Sequence, residues 1–149
     1  YLRASLSKIR ETDTDLGQEI EIIRAYLKIY KIRMGDRLQY RIDVPEHLQG
    51  VPFPTMLLQP LVENAIKHGL EPRVDGGEVV VSAEAEDGLL RLVIKDTGLG
   101  FIEASDNGLG LSNVRERLHT LYGDRAQLIL ETNHPQGLKA IIEVPHDGH

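Results

Sequence analysis

A chain of 149 residues that is 41% hydrophobic and 27% charged has room for one domain with a real core, and its 17 basic against 23 acidic residues give a nucleic-acid surface little support. It has no cysteine, which excludes disulfide scaffolds and thiolate metal sites, and its apolar runs are too short to span a bilayer. It opens on Tyr1 rather than methionine and shows no signal peptide, so the expectation is a piece of something longer.

Leu2, Leu6 and Ile9, then Leu16, Ile20, Ile23, Leu27, Tyr30 and Met34, follow alternating steps of four and three, interrupted at Asp13. That is the seam of a coiled coil or a helical bundle. Asp15 as cap and Gln18 closing a capping box start a helix over residues 16–34, with another before it. A dimer seam and a helix packed on its own domain both fit this pattern.

After "MGDR" the period changes to two: Leu38, Tyr40, Ile42 and Val44 alternate with polar residues as in a half-buried strand. A helix follows Pro52 and Pro54. "GEVVVSAEAEDGLLRLVIKD" predicts a hairpin turning at Glu86-Asp87-Gly88. A glycine-bearing loop over residues 96–110 leads to a helix from Leu111 to Leu121, and "AQLILETNHPQGLKAIIEV" predicts a last hairpin turning at "HPQG". Hairpins demand antiparallel pairing, so the order helix, strand, helix, hairpin, helix, hairpin predicts an α+β fold with helices on one sheet face.

Three stretches carry chemistry. In "LLQPLVENAIKHGLE", Leu57, Leu61 and Ala65 form one ridge and Leu58, Val62 and Ile66 the next, both turned to the core. Asn64, Lys67 and His68, spaced i, i+3, i+4, share a polar face, with Glu63 beside Lys67. Alone, such a face is ordinarily solvated helix surface, and Glu63 with Lys67 an ordinary i, i+4 pair. In "IKDTGLGF", Asp96 follows an apolar strand and precedes Gly98 and Gly100. A carboxylate there is suited to accept from the exocyclic amine of adenine, although for a lone Asp-x-Gly an Asx turn closing the strand is commoner. In "NGLGLSNVRERL", Gly108 and Gly110 run into a helix whose first N–H groups suit a phosphate. Neither a Walker nor a Rossmann glycine motif occurs.

In this order, "LVENAIKHG", "DTGLGF" and "GLGLSNVRERL" resemble the N, G1 and G2 boxes of the GHKL (Bergerat) ATP-binding fold shared by histidine kinases, gyrase, Hsp90 and MutL. "QEIEIIRAYLKIYKIRMGDRL" and the run into "LLQPLVENAIKHG" resemble LytS-like sensor histidine kinases, and the likeness covers nearly the whole chain. It implies a two-layer α/β sandwich with a mixed, mostly antiparallel sheet, preceded by a helix. Residues 1–35 would be the end of the dimerisation region and residues 36–149 the ATP-binding catalytic domain.

The resemblance also implies roles. Asn64 would ligate Mg²⁺, and Lys67 and His68 would face the triphosphate. Asp96 would recognise adenine, with Gly98 and Gly100 shaping that side of the pocket. Gly108, Gly110 and Leu111 would form the hinge and phosphate-binding helix start, with Asn113 and Arg115 close enough to contribute, and Glu63 would assist the metal or activate the acceptor. Residues 101–107 would form a short lid. The implied enzyme is a protein histidine kinase, a transferase of two-component signal transduction using ATP and Mg²⁺. It would feed a phosphorelay to a response regulator, often of the LytTR type, from the cytoplasmic side of a membrane-anchored homodimer.

The chain departs from the hydrolytic members of the fold, which place a general-base glutamate where Pro60 stands, so efficient ATP hydrolysis is not expected. No phosphoacceptor histidine motif occurs in residues 1–15, and His47, His119, His134, His146 and His149 read as ordinary surface histidines. The acceptor is therefore expected upstream, and this chain should not autophosphorylate alone. Two other readings use the same fold: a nucleotide-binding regulatory module without phosphoryl transfer, and an anti-sigma-type serine kinase.

Overall fold

A computed structural model describes residues 14–99 and 111–146. Helix α1 (Leu16–Met34) begins with the predicted capping box: Asp15 Oδ1 accepts from Gln18 N at 2.8 Å and Gln18 Oε1 from Asp15 N at 3.2 Å. Strand β1 (Leu38–Asp43) follows, and then α2 (Gln59–Asn64), which continues without a break as a π-helical stretch, Ala65–Leu70. The hairpin β2 (Gly77–Glu86) and β3 (Leu89–Asp96) turns at Asp87 and Gly88, with φ of 55° and 80°, the left-handed pair that a two-residue connection requires. Helix α3 (Leu111–Tyr122) and the hairpin β4 (Gln127–Thr132) and β5 (Leu138–Pro145) complete the described chain.

The five strands form one sheet in the order β1-β2-β3-β5-β4. Three pairings are antiparallel, whereas β1 joins β2 in parallel, Leu38 opposite Gly77. The parallel pair follows from the connection, because a strand that returns through a helix cannot close as a hairpin. Val79, Val81 and Ala83 of β2, Leu90, Leu92 and Ile94 of β3, and Ala140, Ile142 and Val144 of β5 alternate onto the face that the helices cover.

The seam of α1, Leu16, Ile20, Ile23, Leu27, Tyr30 and Met34, is buried in the same hydrophobic cluster as the sheet, α2 and α3. Packing on its own domain, one of the two readings of that seam, is what these contacts describe. The outer face of α1 leaves Ile22, Ile29 and Ile32 exposed. Leu2, Leu6 and Ile9 lie outside the described residues.

Candidate functional site

Asp96 continues the inward alternation of Leu90, Leu92 and Ile94, so strand geometry alone drives a carboxylate into the layer between sheet and helices. It is 3% exposed. Oδ1 accepts from Gly98 N at 2.8 Å and from Leu138 N at 3.4 Å, and the Asp96 carbonyl accepts from Asn133 Nδ2 at 2.8 Å. The Asx turn and the ligand acceptor are thus not alternatives: Oδ1 closes the turn, while Oδ2 has no protein donor among the described residues. Burial pushes the pKa up from 3.8 to about 6, against the pull of the Gly98 and Leu138 N–H groups. The group is still mainly a carboxylate at neutral pH.

The walls beside it are backbone. Leu99 N donates to Gly69 O at 3.1 Å, a Cβ on Gly98 would lie 2.2 Å from the carbonyl carbon and oxygen of Gly69, and a Cβ on Gly69 would lie 3.0 Å from Asp96 Oδ1. Arg73 Nη1 donates to Thr97 O at 2.8 Å, and Thr97 Oγ1 accepts from Glu78 N at 2.9 Å. The end of β3 is thereby fastened to the far end of the α2 segment, with the Gly69 and Gly98 backbones in close approach beside the Asp96 carboxylate.

From the turn before α2 into its π-helical continuation, Leu57, Leu58, Leu61, Val62, Ala65 and Ile66 are buried; Glu63 and Asn64 are half-buried, and Lys67 and His68 exposed. The shared polar face needs correction. From Ala65 the backbone bonds i to i+5, Glu71 N reaching Ile66 O at 2.7 Å, so the wider turn carries Lys67 further from Asn64 than an α-helix would and keeps His68 nearer its line. Nor does Glu63 pair with Lys67: its Oε2 accepts from Gln59 Nε2 at 3.1 Å.

Asn64 Nδ2 is buried without an acceptor among the described residues. An unmade buried hydrogen bond costs about 1–3 kcal/mol, so an acceptor from beyond the described residues would be favoured there, as would a donor at the likewise unpartnered Gln59 Oε1. No group of three or more His, Asp or Glu suited to a metal occurs among the described residues. The donors present, one amide oxygen and the neighbouring carboxylate of Glu63, suit Mg²⁺ carried mainly by phosphate oxygens and water, not a metal held in a protein cage.

Leu111 is buried at the start of α3 and Asn113 is exposed. Arg115 Nη1 donates to Leu128 O at 2.8 Å, which engages it with β4. Gly100, Gly108, Gly110 and the lid residues 101–107 lie outside the described residues. Two residues escaped the sequence reading, Glu19 and Arg117, both of which hold the segment before α2. Glu19 had a signal: it stands three residues after Leu16 and four before Ile23, a charge on an apolar seam.

A mixed five-stranded sheet covered by helices on one face, with a buried acid at a strand end against two glycine backbones and a helix whose amide lacks an acceptor among the described residues, defines an α+β sandwich. The catalytic domain of the histidine kinase ThkA shares this fold with a TM-score of 0.67 at 16% identity, over 88% of this chain and 93% of that one. ThkA in complex with the response regulator protein TrrA aligns with a TM-score of 0.68 at 19% identity, over 88% of this chain and 40% of that one. The chain belongs to the histidine kinase-, DNA gyrase B-, and HSP90-like ATPase family, whose sequence profile matches residues 51–148; the histidine kinase profile matches residues 1–38. It is 42% identical over 125 residues to the sensor histidine kinase BtsS of Escherichia coli K12, covering 83% of this chain and 22% of BtsS. It is 32% identical over 146 residues to the sensor protein LytS of Oceanobacillus iheyensis, covering 88% of this chain and 25% of LytS. The chain thus spans about a quarter of the length of these relatives. No described helix is long and apolar enough to cross a membrane.

Proposed function

We propose that this chain is the ATP-binding catalytic domain of a sensor histidine kinase, donating the γ-phosphoryl group of ATP to a histidine upstream of residue 1 for relay to a response regulator. The observation that carries this reading is Asp96 Oδ2, a buried acceptor that meets no donor among the described residues, beside the closely packed Gly69 and Gly98 backbones and suited to the adenine 6-amino group. Asn64, assisted by Glu63, would hold Mg²⁺, which when bound neutralises charge on the phosphate oxygens. The chain's own part is positioning: Asp96 orients the base, while Lys67, His68 and the start of α3 at Leu111 hold the phosphates. The incoming imidazole nitrogen bonds to the γ-phosphorus as the bond to the β,γ-bridging oxygen breaks, and ADP leaves.

Gly100, Gly108, Gly110 and Asn113 complete the pocket in this reading, and Pro60 leaves it without the base that activates water. The division at residue 35 belongs to the same proposal. Because the α1 seam is already buried, a dimer contact made by residues 1–35 has to use the outer face of α1 or the residues before it. Homodimerisation, a membrane anchor and a LytTR-type regulator are features proposed for the whole protein.

The test joins this chain to an upstream segment bearing the histidine and supplies γ-labelled ATP. Label moving to that histidine is expected. Saturable MgATP binding without transfer would favour the regulatory module, and label on a serine of a partner protein would favour the anti-sigma-type kinase. A second expectation concerns the metal. Asn64→Asp should fold normally yet bind MgATP about tenfold more weakly, since it sets a negative charge before the triphosphate. Unchanged calorimetric affinity would remove Asn64 as the ligand.

A further inference from the structure

Helix α2 has no side-chain cap of its own. Its first N–H groups are taken instead by a carboxylate from another helix. Glu19 of α1, 1% exposed, accepts from Met56 N at 2.8 Å through Oε1, and from Leu58 N at 2.9 Å and Gln59 N at 3.3 Å through Oε2. On the other side, Arg117 Nη1 of α3 donates to the carbonyls of Thr55 at 2.9 Å and Met56 at 3.0 Å. Met56, between them, has φ of 64°, a left-handed conformation that a non-glycine residue holds only where its surroundings impose it. An anion therefore grips the N–H groups of this short segment while a cation grips its carbonyls.

The geometry points to Glu19 as a positioning residue for the metal-nucleotide end of the site, with Arg117 as its counterpart, so that α1 sets where α2 begins relative to α3. This rests on the nucleotide-binding reading above. Asn64 lies five residues beyond Gln59, about 8 Å along the helix, so a tilt or slide at the start of α2 is carried to its side chain. Helix α3 starts at Leu111, and the brace links the two elements assigned to the phosphates. Among the described residues the adenine end touches the α2 segment only at its far end, through Gly69, and is held besides by the bonds of Asp96 to Gly98, Leu138 and Asn133. Displacement of α1 should thus alter the metal-dependent part of binding more than the rest.

The test is calorimetric binding of a nonhydrolysable ATP analogue, with Mg²⁺ and with chelator, to the wild-type chain, Glu19→Gln and Glu19→Asp. Glutamine replaces one acceptor oxygen by a donor that faces the N–H groups. Glu19→Gln should lose about tenfold in affinity with Mg²⁺ and stay within about twofold of wild type in chelator, with Glu19→Asp recovering part of the loss. A residue that only stabilises the fold would shift the unfolding temperature and leave the Mg²⁺ dependence of the folded protein alone. A folded Glu19→Gln variant with wild-type Mg²⁺ dependence would overturn the inference. Absence of nucleotide binding by wild type under both conditions would instead strike the parent reading. Should Glu19→Gln fail to fold, Arg117→Lys, which keeps the charge and loses the forked donor, is expected to show the same narrowing, and an unchanged ratio there overturns the proposal.

Discussion

Replacing Asp96 with asparagine is expected to cost about a hundredfold or more in nucleotide affinity and, near neutral pH, to make the protein more stable. The loss of affinity follows from chemistry: an amide N–H₂ can take the place of Oδ2, setting a donor against the donor of the adenine 6-amino group in a dry site. The gain in stability follows from the raised pKa. Wild-type Asp96 has a folded-state pKa of about 6 against 3.8 for the free group, so its contribution to stability is complete below about pH 4 and is lost as pH rises through 6. Above that pH the wild type carries the cost of a buried charge, up to about 3 kcal/mol for a shift of this size, and the asparagine does not. Urea unfolding at pH 7.5 and pH 4 should show the variant's advantage at the higher pH shrinking at the lower, and calorimetry should show the binding loss. A variant that binds like wild type would remove Asp96 from the adenine pocket.

The second large effect is expected at Gly98. A methyl group there would sit 2.2 Å from the carbonyl carbon and oxygen of Gly69 and 2.5 Å from its Cα, contacts that no rotamer change relieves because every atom is backbone. Gly98→Ala must push the end of β3 off the α2 segment, breaking the Leu99 to Gly69 hydrogen bond and moving Asp96 with it. A destabilisation of about 3 kcal/mol is expected, with nucleotide binding lost even where the protein remains folded. Thermal unfolding together with analogue binding measures both. An alanine variant with wild-type melting and affinity would mean that the two glycine backbones are not as close as these distances make them.

Much of this architecture was legible because local chemistry and global fold agree. The Asp15 and Gln18 box starts α1, the Asp87-Gly88 pair makes the first hairpin turn, and strict alternation puts Leu90, Leu92, Ile94 and then Asp96 on one face. The site was legible only as residues. The Asx turn of Asp96 with Gly98 was legible locally, but that the same oxygen also accepts from Leu138 N, 42 positions away, is something no local pattern encodes. The π-helical turn after Asn64 was invisible because its apolar ridges fit the α period well enough, and a wider turn leaves no mark in composition. Glu19 was hidden in the opposite way: its seam position was visible, but its partners are backbone N–H groups, which carry no sequence signal.

The parallel pairing of β1 with β2 bears on the order in which the parts of the fold come into being. Asp96 and Leu138 belong to hairpins closed by short connections, whose entropy cost is small and which form on the time scale of local turns. Asn64 lies inside the long excursion from Asp43 to Gly77, which must close before β1 and β2 register. Contacts across so wide a separation are slow to form because chain entropy is lost before they repay it. The two hairpins are therefore early products of folding, whereas the β1–β2 pairing that encloses Asn64 and the contact of Asp96 with Leu138 across hairpins are late ones.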